Sequence, residues 1–299
     1  MDVQITENKL IMLYIEVDDL FKSFKKHQAK RGLGSPKKPT REPGLAPSEI
    51  ATIIVAYHFS GHKNFEYYYR QCVLVRHRDC FPQAPTYERF LAYIPRCADL
   101  VILWLMYSAA RSERTGLYFI DSKKLEVCHL RREKSNRVFE GIARKGKTST
   151  GWFYGLKIHL VINNLGEIMS FALTSGNVAD NNQGLLKEML AGLEGICVGD
   201  RGYITKLFDW FLASGLHLLT RPKKNMKHLP VESKHVFLTK KRAVVESVFD
   251  ILQSVCDIEH SRHRSPANAL VHILASLIAY QHLDKKPRVF FPSLINQAA

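Results

Sequence analysis

Three acidic side chains stand where folded chains keep reactive groups. Asp200 follows the apolar run Ile196-Cys197-Val198 and opens the turn Gly199-Asp200-Arg201-Gly202-Tyr203. An acid just past the carboxyl end of a buried strand sits where α/β sheets hold their ligands. Asp121 closes a second apolar run, Leu117-Tyr118-Phe119-Ile120, and Glu246 lies in a helical pattern that starts near Lys241. Acids in such places also cap helices, and for Asp200 alone that reading stands beside the chemical one. Taken as a set they point to phosphodiester chemistry, in which two divalent ions roughly 3.5–4 Å apart activate the nucleophile and neutralise the leaving oxygen. Mg²⁺ takes oxygen ligands and keeps several waters, so two or three carboxylates are enough to hold it. Without a cation, such acids repel one another and their pKa values rise. The expected arrangement has Asp121 bridging two ions while Asp200 and Glu246 hold one each. Water attacks first, then a DNA 3′-hydroxyl.

Other acids compete for these roles. Asp180 follows Gly176-Asn177-Val178-Ala179 and reads as a helix N-cap or as a supporting group near the site. Asp250 lies one turn beyond Glu246 on the same helix face and is the alternative helix ligand. Arg242 precedes Glu246 by one turn, which fits either an intrahelical ion pair or a phosphate contact beside the metals.

The charge balance names a partner. Lys plus Arg number 43 against 28 Asp plus Glu, a formal +15, and 46% of the 299 residues are apolar. The chain is therefore globular and seeks a polyanion, with nucleic acid ahead of an anionic membrane because the basic residues gather in loops. Those loops hold Lys37 and Lys38, then Arg131, Arg132, Lys145 and Lys147, then Arg221, Lys223 and Lys224. Arg201 adds a cation beside Asp200. The six cysteines form no CxxC pair, which argues against zinc. The start shows no signal-peptide pattern, and the apolar runs Leu100–Tyr107 and Leu270–Tyr280 are too short to span a bilayer. A reducing, cytoplasmic setting without membrane contact is expected.

The elements that must position the acids follow from periodicity. Residues 1 to about 20 form a helix, and a basic Gly/Pro-rich stretch from Lys22 to Pro47 reads as a helix end plus linker. Ser48 is the expected N-cap of a helix ended by Gly61. Three more helices follow up to Ala110, with Phe65 and Tyr67 to Tyr69 as core aromatics. This is expected to be an all-α, helix-turn-helix-like, DNA-binding region over residues 1–112. From residue 113 to 299 the order becomes β-β-β-α-β-α-β-α, the order of an RNase H-like mixed five-stranded sheet flanked by helices. Two basic insertions, near 129–151 and 221–241, interrupt it.

The same residues carry a family resemblance. The chain resembles insertion-sequence DDE transposases, most closely the insertion-sequence family nine-eighty-two. The carrying stretches are Phe119-Ile120-Asp121-Ser122, the block from Gly146 through Trp152-Phe153-Tyr154-Gly155-Leu156-Lys157-Ile158-His159, Leu173 to Asp180, Val198 to Ile204, and Arg242 to Glu246. The resemblance covers residues 117–256 and implies the triad Asp121, Asp200 and Glu246, with Mg²⁺ or Mn²⁺. It also implies double-stranded DNA partners, namely the element's terminal inverted repeats and a target. Lys157 and His159 are implied to lie near the site. Thr239 stands where related transposases carry Tyr, and Gln253 where they carry Lys. A homodimer on DNA follows from the need to process two ends together. The alternatives are a nuclease of the same fold that does not join ends, and a DNA-binding regulator or decayed copy in which the acids are structural.

Overall fold

The strand that carries Asp121 is the middle of the sheet, and it runs on to Cys128 rather than ending at the acid as its apolar run suggested. β1 (Leu117–Cys128) is buried over its first four residues and half-buried from Asp121 to Lys124. A strand covered on both faces reads as a continuous apolar run, which is why Leu117–Ile120 shows no alternation. The computed structural model describes residues 5–31, 44–149, 151–221, 236–259 and 263–290. Lys37, Lys38, Lys223 and Lys224 lie outside the described residues.

β1 pairs antiparallel with β3 (Gly151–Asn163), placing Asp121 opposite Leu160 and Ser122 opposite His159. On its other edge it pairs parallel with β5 (Gly195–Val198), from Leu117↔Ile196 to Phe119↔Val198. β5 pairs parallel with β6 (Leu216–Leu219). β2 (Arg144–Thr148) and β4 (Ile168–Ser175) share the far edge of β3, β2 along Gly151–Gly155 and β4 along Leu156–Ile162. The sheet is therefore mixed and six-stranded, in the order β2-β3-β1-β5-β6 with β4 beside β3. The sixth strand is a correction, since 129–151 read as a polar excursion. Its sequence, Arg-Lys-Gly-Lys-Thr, has no apolar alternation because it is an edge strand whose charges face solvent.

One face of the sheet is closed by α6 (Gln183–Met189) and α7 (Phe208–Ala213). Leu186, Met189 and Phe211 from these helices bury Tyr118, Ile120 and Val161. The opposite face, which Asp121 shares with Lys123, meets α9 (Ala243–Ser254): Lys123 Nζ lies 5.9 Å from the Phe249 ring and 3.8 Å from Asp250. Val245, Val248 and Phe249 give α9 its buried stripe. α8 (Val236–Lys241) precedes it.

These elements belong to one of two compact units, Ala109–Ile251 with Leu283–Ala299; the other is Met1–Ser108 with Leu252–His282. The latter is helical. α1 (Glu7–Lys30) runs ten residues beyond the expected end near residue 20, and α2 (Pro47–Phe59) is buried on every side. The N-cap of α2 is Ala46, not Ser48. The Ala46 N–H donates to Glu49 Oε2 at 2.7 Å, while the Ser48 hydroxyl donates to Asp18 at 2.9 Å. α3 (Phe65–Tyr68), with its continuation Tyr69–Arg76, buries Phe65, Tyr68 and Tyr69 and leaves Tyr67 exposed. α4 (Tyr87–Tyr93) and α5 (Ala98–Ala110) are joined through Ile94–Cys97 into 24 continuous helical residues, the most apolar 18 of which have mean hydropathy 1.4. By length and composition alone that helix is long enough to cross a bilayer, although the uninterrupted apolar run within it, Leu100–Tyr107, is not. Phe90, Ile94, Val101, Trp104 and Leu105 along it are buried in the protein. α10 (Pro266–Gln281), capped by Ser265, is buried from Ala269 to Tyr280 and packs on α2.

Candidate active site

A strand, a turn and the first turn of a helix converge on one charge cluster. Asp121 sits where β1 emerges from the core, its side chain 17% exposed. Its Oδ1 accepts from the Ser122 N–H at 2.9 Å and its Oδ2 from Arg242 Nη1 at 2.8 Å. Arg242 Nη2 donates to Glu246 Oε1 at 2.6 Å. One guanidinium thus bridges the strand acid and the helix acid. Both readings of Arg242 left the Asp121 contact unforeseen, because 121 residues of sequence separate the partners.

Asp200 completes the set from the turn after β5. Its Oδ1 accepts the Gly202 N–H at 2.6 Å and so caps the single turn Arg201–Tyr203. Capping and membership of the cluster coexist. Burial pushes the Asp121 carboxyl up to about 6, Asp200 and Glu246 add to the rise, and Arg242 and the Ser122 N–H oppose it. Asp200, Arg201, Arg221, Lys240, Arg242 and Glu246 line a cleft of about 490 Å³. Arg221 is held at its rim by Thr239, Nε to Oγ1 3.3 Å. Asp250, the rival helix acid, is 76% exposed and pairs with Lys123.

A second polar network lies behind the first. Lys157 and His159, expected among the DNA contacts, are buried, at 6% and 0% exposed. Lys157 Nζ donates to Val178 O at 2.8 Å and to Asp180 Oδ1 at 3.0 Å. Their positions alternate with Ile158 on β3 and match Val161, which turns both side chains to the face closed by α6 and α7. Desolvation lowers the His159 imidazole to about 4, so the ring is neutral at pH 7; its Nε2 pairs with Thr174 Oγ1 at 3.0 Å. Ser122 Oγ donates to Asp180 Oδ1 at 2.8 Å. Asp180 is not the N-cap of α6; Asn182 takes that place. Burial drives the Tyr203 phenol well above its ordinary value, and the nearby Asp121, Asp180 and Asp200 add to the rise.

The remaining predicted cations lie outward. Arg131 and Arg132 are exposed on the turn Leu130–Ser135, and Arg201 is exposed in the cleft. Lys145 and Lys147 on β2 point their ammonium groups at the Trp152 ring, 5.0 and 5.6 Å from its centroid. Trp152 itself is 54% exposed. Sequence reasoning passed over Trp152, Ser122 and Tyr203. The first carried a signal: an aromatic residue flanked by basic ones.

The donor set suits a hard cation. It offers carboxylate oxygens only, and the Arg242 guanidinium already supplies positive charge between Asp121 and Glu246. Among the described residues, no group of three His, Cys, Asp or Glu side chains is gathered closely enough to hold a metal ion as they stand. The intervening arginine accounts for the separation of Asp121 from Glu246.

The family profile for the transposase DDE domain matches residues 111–266. No curated protein matches the chain. Among solved structures, the piggyBac transposase synaptic complex with hairpin DNA is similar over 85% of this chain and 70% of that one, at 11% identity and a TM-score of 0.48. The Mos1 strand transfer complex is similar over 89% and 86%, at 13% identity and a TM-score of 0.25. Neither likeness is close enough to carry a point of mechanism.

Proposed function

Because the chain belongs to the DDE transposase family, we propose that it moves a DNA element by metal-dependent strand cleavage followed by strand transfer. Asp121, Asp200 and Glu246 are the acids of that reaction. What supports this reading is a single observation: Arg242 ties the strand acid to the helix acid beside a cleft that also holds Asp200. The finer reading is a member of the insertion-sequence family nine-eighty-two. It has an RNase H-like catalytic region and a helix-turn-helix-like amino-terminal region, and works as a homodimer on double-stranded DNA in the cytoplasm.

Divalent metal dependence goes with the DDE domain in general. Asp121, Asp200 and Glu246 would hold the ion, with Mg²⁺ proposed and Mn²⁺ able to substitute. When bound, such an ion acidifies the attacking hydroxyl or water and neutralises charge on the phosphate. The protein's own groups do the rest. Arg201, Arg221 and Lys240 line the cleft and offer guanidinium and ammonium donors to phosphate oxygens. Arg242 neutralises the acids before the reaction and has Nη donors to give to a phosphate when they are otherwise engaged. The buried Lys157 orders the loop at Val178 and Asp180 from beneath.

The test is cleavage of a supercoiled plasmid carrying the flanking element ends, by wild type and Glu246→Gln, with Mg²⁺ and with chelator. Metal-dependent cuts at the ends that vanish in the variant are expected. Cuts without joining point to the nuclease, and DNA binding that ignores chelator and Asp121→Asn, with no cuts, points to the regulator. Cuts that persist in Glu246→Gln move the third role to Asp250.

A further inference from the structure

The two strands that carry Asp121 and Asp200 part company just before the acids. Their parallel pairing ends at Phe119↔Val198, two residues before each acid. No backbone ladder fixes Asp121 relative to Asp200. The gap is spanned by Asp180. Its Oδ1 receives the Ser122 hydroxyl at 2.8 Å and the Lys157 ammonium at 3.0 Å. On the other side it approaches the Asp200 turn closely enough that a Cβ added at Gly202 would stand 3.6 Å from Asp180 Oδ2 and 2.8 Å from Asp200 Oδ1. The Tyr203 hydroxyl is buried in the same place, beside Ser122 but in no well-formed hydrogen bond.

We propose that Asp180 is a positioning residue for the acid set, acting through Ser122 on Asp121 and by contact on the Asp200 turn, with Lys157 as its buried counter-ion. The proposal rests on the reading of Asp121, Asp200 and Glu246 as working acids. Ser122 transmits the effect, because its own N–H holds Asp121 Oδ1 at 2.9 Å. Fixing the Ser122 side chain therefore fixes the peptide that sets the Asp121 carboxylate. Lys157 is needed because an uncompensated fourth carboxylate would add like charge to the cluster. Stability alone does not account for the pair: the Lys157 side chain is only 8% exposed, and buried ion pairs gain little over apolar packing.

The experiment reads metal binding without DNA, as the Mn²⁺ concentration giving half-maximal thermal stabilisation of the full chain. Wild type, Asp121→Asn, Asp180→Asn, Ser122→Ala and the Asp180→Asn/Ser122→Ala pair are compared. Loss of groups that orient a metal ligand costs about 10- to 100-fold in affinity. Asp180→Asn and Ser122→Ala are each expected to raise the midpoint about 10-fold, and the double variant no further than Asp180→Asn, because both break one link. DNA binding stays within a few-fold. A lower melting temperature with an unmoved Mn²⁺ midpoint, or effects that multiply in the double variant, overturns the proposal. Ser122→Ala introduces no unpaired buried charge, so it carries the test if Asp180→Asn does not fold. Failure of the underlying reading looks different: wild type then shows no Mn²⁺ stabilisation, or Asp121→Asn leaves it intact.

Discussion

Replacing Asp121 by Asn is expected to stabilise the metal-free protein at neutral pH. The carboxyl is pushed from an ordinary 3.8 to about 6, chiefly by burial. At about 1.36 kcal/mol per unit, a displacement of about two units is worth up to about 3 kcal/mol. For an acid whose folded pKa is raised, that stability is fully present below about pH 4 and is lost as pH rises through 6. Wild type therefore loses up to about 3 kcal/mol between pH 4 and 7, and Asp121→Asn does not. The amide oxygen keeps an acceptor for Arg242, while the amide nitrogen turned to the Ser122 N–H forfeits that hydrogen bond and offsets part of the gain. His159 works in the opposite sense, since its lowered pKa of about 4 removes stability as pH falls from 6.5 toward 4. That contribution is common to both proteins and cancels in their difference. At roughly 2–4 °C per kcal/mol, the variant should melt above wild type at pH 8, by up to about 6–12 °C, and level with it at pH 4. The assay is thermal unfolding across pH 4 to 8 in chelator. Parallel curves would show that Asp121 carries no burdened charge and would refute the electrostatic account of the cluster.

Three further outcomes follow from the same geometry. Arg242→Gln withdraws a charged donor from both Asp121 and Glu246, so above pH 6 the metal-free protein should lose about 1–3 kcal/mol by denaturant titration. Gly202→Ala places a Cβ 2.8 Å from Asp200 Oδ1, with φ outside the left-handed region; plasmid cleavage should fall about 100-fold while the melting temperature barely moves. Trp152→Ala should leave stability unchanged, because the ring is 54% exposed, and should weaken DNA binding about fivefold by anisotropy, as expected if the ring stacks on a base.

The acids were legible because their signals are local. Asp121 closes the apolar half of β1, Asp200 follows the apolar strand β5, and Glu246 falls in the first turn of a clearly amphipathic helix. The meander and the helix-linked strands were legible for the same reason, since buried parallel strands announce themselves as unbroken apolar runs. What escaped has no local signature. β2 is a strand only because β3 offers it an edge; its own residues favour solvent. The roles of Asp180 and Ser122 depend on a partner 58 residues away. The burial of Lys157 and His159 required knowing that β3 is covered on both faces, whereas an alternating polar pair reads as a solvent face. Ser48 misled because a serine near a helix start usually caps it, whereas Pro47 at the first position moved the cap to Ala46.

The topology also fixes the order in which the protein becomes competent. β1, β3 and β4 pair with near neighbours in the chain, so a growing polypeptide can close this meander early, at little loop entropy. β5 must then return parallel to β1, and α9 must come back to the strand end where Arg242 meets Asp121. A nascent chain thus carries Asp121 and Lys157 in a folded sheet well before the helix acid has been synthesised. Translation that stops before residue 246 leaves a protein with the basic hairpin and two of the acids but no complete cluster. On the proposed reading, such a fragment keeps two of the three acids and lacks the one on α9, so it is incomplete as a catalyst however well its sheet folds.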